Sequence, residues 1–153
     1  MKVVLAEKPS VARELASFLK ARSRFNGYIE GGGYRVTWAL GHLVGLKEPA
    51  DYDPALRRWS LDTLPFIPEP FELKLRGDQR ARDQYAVVKR LIIAADELIC
   101  ATDAGREGEL IFRYILVLAG CTHKPAQRLW LSSLTPQAIR TAFRAAPAVD
   151  RTA

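Results

Sequence analysis

The sequence has few of the residues that build disulfide frameworks and zinc sites. Its 153 residues include only two cysteines and two histidines. Cys100 and Cys121 are isolated and lack the C-x-x-C spacing of metal or redox motifs, which argues against a disulfide scaffold and against a zinc site. Cys100 lies within an apolar run, so we expect it to be a buried free thiol.

Long apolar runs are also absent. No stretch approaches the roughly 20 apolar residues that a membrane-spanning helix requires. The opening residues 1–6 are too short for the apolar region of a secretory signal and lack a cleavage pattern. We therefore expect a cytoplasmic chain without membrane contact. With 48% hydrophobic and 26% charged residues, the composition is that of one ordinary folded domain.

The charge is biased towards one sign. Lysine and arginine total 23 against 17 acidic residues, which gives a net charge of +6. Several arginines are clustered, for example at positions 57–58 and 76–82. A basic surface attracts polyanions, of which nucleic acid is the commonest candidate. Charge alone does not separate this interpretation from a composition that merely serves solubility.

Strand-like and helix-like segments alternate along the chain. Residues 3–6 and 98–102 have the pattern of buried strands, each followed by helical spacing. Residues 28–30 and 34–40 flank three glycines and predict a β-hairpin rather than a phosphate loop. Residues 41–70 contain five prolines and predict a long irregular insertion. The alternation predicts an α/β fold with a central parallel sheet flanked by helices.

Start and stop signals give approximate boundaries for the other elements. We expect helices over 9–21, 78–96, 107–119 and 136–145, further short strands over 71–75 and 128–131, a loop over 22–26, and a loose tail over 147–153.

An acidic turn follows the second buried strand. Residues 103–109 read Asp-Ala-Gly-Arg-Glu-Gly-Glu, and a helical pattern comes next. Carboxylate oxygens are suitable ligands for Mg²⁺, but acids also favour a helix N-terminus, and local spacing does not decide between these uses. In parallel sheets, ligands bind at the carboxyl ends of strands. If the two buried strands are neighbours, Glu7 and Asp103 converge at one edge of the sheet.

Acids at this edge would support magnesium chemistry. Asp103, Glu107 and, as a further contact, Glu109 are candidate Mg²⁺ ligands, with waters completing the shell. Glu7 directly follows the first strand and is a candidate metal ligand or general acid. Acids that bind metal beside bases that bind phosphate are typical of phosphoryl transfer.

Basic residues next to these acids are the candidate phosphate contacts. Lys8 and Arg106 can neutralise a phosphate, and the guanidinium offers bidentate geometry. Ordinary salt bridges to the adjacent acids explain both residues equally well. His42 follows a strand and is a candidate phosphate donor, although a lone histidine of this kind is more often structural.

Five segments occur in a fixed order along the chain: VLAEKPS at 4–10, TWALGHL at 37–43, LPFIPEP at 64–70, residues 101–113, and RLWLSS at 128–133. Together they resemble the N-terminal TOPRIM domain of bacterial topoisomerase III, a group of type IA DNA topoisomerases. The resemblance covers roughly residues 2–144. It implies a Rossmann-like α/β domain, Mg²⁺ dependence, and relaxation or decatenation of DNA through a transient single-strand break.

The resemblance also implies roles for individual residues. The family's first-strand glutamate, here Glu7, lies at the cleavage site and assists proton transfer. The lysine that follows, here Lys8, contacts the scissile phosphate. The family's acidic motif is usually Asp-x-Asp-x-Glu, and Asp103 and Glu107 match its first and last acids.

The middle acid of that motif is replaced by Gly105. Glycine has no side chain to bind a cation, so either fewer protein ligands hold the metal or Glu109 or Glu7 contributes. We expect metal affinity to be weaker than in relatives with both aspartates. A subgroup that resembles topoisomerase III carries this glycine form, so the site is not expected to be inactive.

The nucleophile implied by the resemblance is a tyrosine in a later domain, and none of the five tyrosines here has such a context. We therefore expect a TOPRIM domain at 1–146, followed by a tail at 147–153 that leads to the remaining domains of the same polypeptide. The expected partner is DNA, single-stranded at the cleavage site. Two alternatives stay open: another TOPRIM phosphoryl transferase, primase-like or nuclease-like, or a non-catalytic DNA-binding module.

Overall fold

A computed structural model describes residues 1–149, and every structural statement below concerns those residues. They form eight strands and five α-helices, with two short 3₁₀ turns at Pro54–Arg57 and Leu61–Thr63. The strands are β1 (Lys2–Ala6), β2 (Ser23–Phe25), β3 (Tyr28–Gly31), β4 (Tyr34–Trp38), β5 (Val44–Leu46), β6 (Leu73–Leu75), β7 (Glu97–Ala101) and β8 (Ala126–Arg128). The helices are α1 (Pro9–Phe18), α2 (Pro49–Tyr52), α3 (Gln79–Ala94), α4 (Arg106–Ala119) and α5 (Pro136–Ala145).

A six-stranded sheet in the order β2-β3-β4-β1-β7-β8 forms the centre of the fold. Strands β4, β1, β7 and β8 run parallel, whereas β2 and β3 are antiparallel additions at one edge. The predicted α/β fold with a mostly parallel central sheet is confirmed. In register, Ala6 of β1 lies between Trp38 of β4 and Ala101 of β7, so three parallel strands end side by side.

Helices cover both faces of this sheet, as a parallel sheet requires. Val3 and Leu5 of β1 point to one face and pack in the same buried cluster as residues of α3 and α4. Val4 and Ala6 point to the other face, where α1 and α5 cover them. Because side chains alternate along a strand, the apolar run of β1 supplies both halves of the core.

The predicted loop over 22–26 is wrong, because Ser23–Phe25 forms the edge strand β2. It pairs antiparallel with β3, and the register places Asn26 and Gly27 in a two-residue turn. Gly27 has a φ of +84°, which suits the left-handed geometry of such turns. The Asn-Gly pair is a hairpin signal that could have identified this strand.

Two other boundaries also differ from the prediction. Helix α1 ends at Phe18 rather than near residue 21, since Lys20 adopts a φ of +59° and the chain then turns into the hairpin. The strand predicted over 128–131 lies earlier, at Ala126–Arg128. The helices α3, α4 and α5 lie close to their predicted ranges, and Gly120 ends α4 in the left-handed region.

The insertion predicted over 41–70 is partly ordered into short elements. Strands β5 and β6 pair antiparallel as a separate two-stranded sheet that packs against α4. The segment between them contains α2 and the two 3₁₀ turns, and it exposes several large apolar side chains, notably Trp59, Leu61 and Ile67.

The first residues of the predicted tail, 147–149, pair with the edge strand β8. The amide of Arg128 donates to the carbonyl of Pro147, and the amide of Val149 donates to that of Ala126, both at 2.8 Å. These residues therefore extend along the open edge of β8 and are not loose, while 150–153 lie outside the described residues. Within 1–149, no helix combines the length and apolar character that crossing a membrane would need.

Candidate active site

The carboxyl ends of β4, β1 and β7 bring the predicted acids and bases to one edge of the sheet. Glu7 directly follows β1, and Asp103 follows β7 after the buried Thr102. The amide of Asp103 donates a hydrogen bond to Oε2 of Glu7, at 3.3 Å. The neighbouring placement of β1 and β7, on which the predicted convergence depended, is thereby confirmed.

Lys8 joins the same group of charges. Its Nζ lies 3.3 Å from Oδ2 of Asp103, and both side chains are more than half exposed. An ion pair in such contact with water contributes little to stability. Lys8 is also the N-cap residue of α1, whose first residue is Pro9. The pair is therefore accessible to an anionic or cationic ligand.

His42 reaches this edge through a turn at the end of β4. Leu40 and Gly41 have φ angles of +48° and +74°, and the amide of Gly41 donates to the carbonyl of Glu7 at 3.3 Å. This turn carries His42 to Glu107, where Nε2 lies 2.6 Å from Oε1. His42, which follows β4, is thus a hydrogen-bond partner of Glu107, one of the predicted metal ligands.

The carboxylate of Glu109 contacts two arginines and not the other predicted ligands. Its Oε1 accepts a hydrogen bond from Nε of Arg113 at 2.8 Å, and its Oε2 lies 3.5 Å from Arg128. The structure does not bring Glu109 together with Glu7 and Asp103. Arg106, the first residue of α4, is exposed, and no acid within residues 1–149 forms an ion pair with it. Its guanidinium is free to contact a phosphate.

Of the two glycines in the acidic turn, Gly108 is required by the packing and Gly105 is not. A Cβ atom on Gly108 would lie 2.0 Å from the carbonyl oxygen of Asp103, so the first turn of α4 packs directly on the backbone of the loop. Thr102 strengthens this contact, since its hydroxyl donates to the carbonyl of Gly108 at 2.7 Å. At Gly105, in contrast, a Cβ would have no atom within 4 Å.

Sequence reasoning assigned no role to Arg128, which lies beneath the acidic turn. Its side chain is only 4% exposed. It donates from NH2 to the carbonyl of Asp103 at 2.6 Å and from NH1 to the hydroxyl of Thr102 at 2.7 Å. Hydrogen bonds from a charged donor are stronger than neutral ones, so Arg128 holds the backbone from which the Asp103 carboxylate projects.

The buried thiol of Cys100 completes this underlying network. NH1 of Arg128 lies 2.5 Å from its sulfur, and the hydroxyl of Thr102 lies 3.3 Å from it. Burial raises the pKa of Cys100 although the nearby guanidinium acts in the opposite direction. The expected buried free thiol is confirmed. The sequence shows only an arginine at the start of the apolar run of 128–131, which does not indicate the residues that it contacts.

The donor set is compatible with a hydrated magnesium ion. Mg²⁺ takes one or two protein carboxylates and keeps several waters, and Glu7 and Asp103 present two carboxylates from adjacent strand ends. Within residues 1–149 no group of three or more acidic, histidine or cysteine side chains is arranged so that it could hold a metal ion, so any bound metal would depend on fewer protein ligands and on water. The open space beside Gly105 leaves room for water ligands. The residues present thus suit a water-rich site.

Comparison with known proteins agrees with this geometry. The family model of the Toprim domain matches residues 2–134. DNA topoisomerase 3 of Bacillus licheniformis is 51% identical over 144 residues, and that of Bacillus subtilis is 49% identical over 144 residues. Each match covers 93% of this chain and 19% of the relative, so the chain spans about a fifth of the length of these proteins. The resemblance seen in the sequence is confirmed, and the chain belongs to the Toprim domain family.

Proposed function

We propose that this chain is the magnesium-binding part of a type IA topoisomerase III, which cuts and rejoins single-stranded DNA to relax or decatenate it. The observation that carries the proposal is the contact between Glu7, Lys8 and Asp103 at neighbouring strand ends. The identity of about half to named DNA topoisomerase 3 proteins supports it. The proposal includes a domain over 1–146, further domains of the same polypeptide, and a cytoplasmic location.

Each residue at the edge has a proposed task. Glu7 assists proton transfer at the cleavage site, where its carboxylate already accepts a hydrogen bond and lies beside Asp103. Lys8 holds a non-bridging oxygen of the scissile phosphate, for which it exchanges its exposed ion pair with Asp103. Arg106 has no acidic partner within residues 1–149 and offers a second, bidentate phosphate contact.

Glu7, Asp103 and Glu107 are the proposed metal ligands; Glu7 and Asp103 already lie together, and Glu107 would have to leave His42 to join them. When bound, Mg²⁺ would offset phosphate charge and orient the DNA backbone. Nε2 of His42 lies 2.6 Å from the carboxylate of Glu107 and so controls whether that carboxylate is available to the metal. Glu109 is held by Arg113, so we propose that it does not bind the metal itself and affects the acidic turn only through its contacts with Arg113 and Arg128. The nucleophilic tyrosine is proposed to lie in another domain.

The test is a Mg²⁺ titration of the 153-residue chain followed by the backbone amide resonances. We expect the signals of residues 7, 103 and 107 to shift together, and Asp103→Asn to remove that response. Asp62→Asn is the matched control, because Asp62 is an exposed carboxylate in the insertion, away from the strand ends. Its response should equal that of the unsubstituted chain.

The two alternative functions predict different outcomes. Shifts scattered over the acidic surface, or an unchanged response of Asp103→Asn, would contradict the metal site and favour a module that binds DNA only through its basic clusters. Nicking of DNA by this chain with Mg²⁺ would favour a nuclease-like transferase. Relaxation of supercoiled DNA by this chain would show that its own residues supply the nucleophile.

A further inference from the structure

Trp130 is an exposed aromatic side chain close to the acidic turn. It follows β8 by two residues and keeps 56% of its surface exposed. The guanidinium carbon of the buried Arg128 lies 5.1 Å from the centre of the indole ring. This cation–π contact supports the ring from the protein side. Arg128 thus joins Trp130 to the backbone of Asp103, to which it also donates.

A cavity of about 430 Å³ lies beside this indole. Its wall combines the ring with polar groups, including the hydroxyls of Ser132, Thr135 and Thr141 and the amide of Gln137. A second cavity of about 370 Å³ shares Ser132 with the first and extends to Asp103. The two cavities therefore meet at Ser132, between Trp130 and the acidic turn. Their volumes are those of small-ligand sites.

Two cations lie on α5, the helix that forms one wall of the first cavity. Arg140 and Arg144 of α5 are exposed, and each lies three residues after a cavity-lining residue, Gln137 or Thr141. Residues three apart on a helix are neighbours on its surface. Neither arginine forms an ion pair with any acid in the part of the chain that the structure describes. An aromatic surface, hydroxyls and unpaired arginines together are suited to a nucleotide.

We propose that the side chain of Trp130 stacks on an unpaired nucleobase of single-stranded DNA, with the adjoining phosphates at Arg140 and Arg144. This site rests on the proposed function and extends it, because it places one nucleotide of the strand in the cavity next to the one that Asp103 lines. Paired bases are already stacked on their neighbours, so an indole at a cavity wall has access only to a base outside a duplex. Stacking tolerates any base and predicts little sequence preference.

The experiment measures binding of a fluorescein-labelled thymidine oligonucleotide to the 153-residue chain by anisotropy at low salt. Trp130→Ala should weaken binding by roughly 5- to 100-fold, the range that loss of one stacked base produces. Trp130→Phe should retain most of the affinity. Trp59→Ala is the matched control, since Trp59 is a still more exposed tryptophan, at 72%, located in the insertion. Circular dichroism establishes that all variants fold.

A second probe separates base stacking from charge. An oligonucleotide of the same length with abasic positions should bind the unsubstituted chain and Trp130→Ala equally, whereas Arg144→Ala should weaken binding of both probes. Equal affinity of Trp130→Ala and the unsubstituted chain for the thymidine probe would overturn the stacking site and leave the magnesium site intact. Loss on the abasic probe would also overturn it. Absence of any binding by the unsubstituted chain would count against both proposals.

Discussion

Gly108 provides the sharpest test of how the acidic turn is held. A Cβ atom at this position would lie 2.0 Å from the carbonyl oxygen of Asp103 and 3.0 Å from two further backbone atoms of that residue. No flexible side chain can yield here, because the atoms belong to the main chain. Gly108→Ala must therefore move the turn away from the first turn of α4.

The expected cost follows from three effects. Overpacking against a fixed backbone costs about 1–3 kcal/mol. Moving the Asp103 carbonyl from Arg128, now at 2.6 Å, weakens a buried charged hydrogen bond worth about 1.5–3 kcal/mol. Alanine gains about 1 kcal/mol over glycine in helix propensity. The net loss in the free energy of unfolding is then about 1.5–5 kcal/mol, or roughly 3–20 °C in Tm for a domain of this size.

Thermal and urea unfolding followed by circular dichroism measure this loss. Gly105→Ala is the control, because it lies in the same turn, adopts an extended φ of 167°, and would place its Cβ in open space. Its expected cost is no more than about 1 kcal/mol, from a weaker helix N-cap. A Gly108→Ala variant as stable as Gly105→Ala would refute the close packing between α4 and the acidic turn.

Two further predictions concern the site and the core. Gly105→Asp should raise Mg²⁺ affinity in the amide titration, because the space at this position is open, and should stabilise α4 by a few tenths of a kcal/mol, because aspartate is a slightly better N-cap than glycine; unchanged affinity would show that the position does not face the metal. The buried hydroxyl of Tyr85 has no hydrogen-bond partner within residues 1–149, and burial raises its pKa. Tyr85→Phe should thus match or exceed the original stability near neutral pH. It should also lose less stability above the usual tyrosine pKa of about 10, where the unfolded phenol ionises first; an equal alkaline loss in both chains would contradict this.

Local patterns in the sequence were sufficient for most of the fold. Several elements are visible as short-range patterns in the sequence. These patterns are the apolar run of β1, the helical spacing of α3 and the capping residues around α4 and α5. The predicted N-cap Thr135, for example, accepts a hydrogen bond from the amide of Ala138. The edge strand β2 was missed because its three residues are all exposed and show no apolar alternation.

The residues of the candidate site also fall into those that the sequence could predict and those that it could not. Glu7, Lys8 and Asp103 could be predicted together because residues that follow neighbouring parallel strands share one edge. Arg128 could not, since its importance depends on burial under a turn that lies 25 residues earlier in the chain. Glu109 was grouped with the other acids by its spacing, but helix geometry directs it towards Arg113, four residues away.

The sequence by itself determined the alternation of strands and helices, the acidic turn and the family, because these depend on residue types at short spacing. Only the tertiary structure decided that β1 lies between β4 and β7, that His42 meets Glu107, and that Arg128 links Asp103 to Trp130. Each of these contacts joins residues far apart in the chain. Which residues come into contact depends on the order of the strands and on burial, and no short-range sequence pattern indicates either.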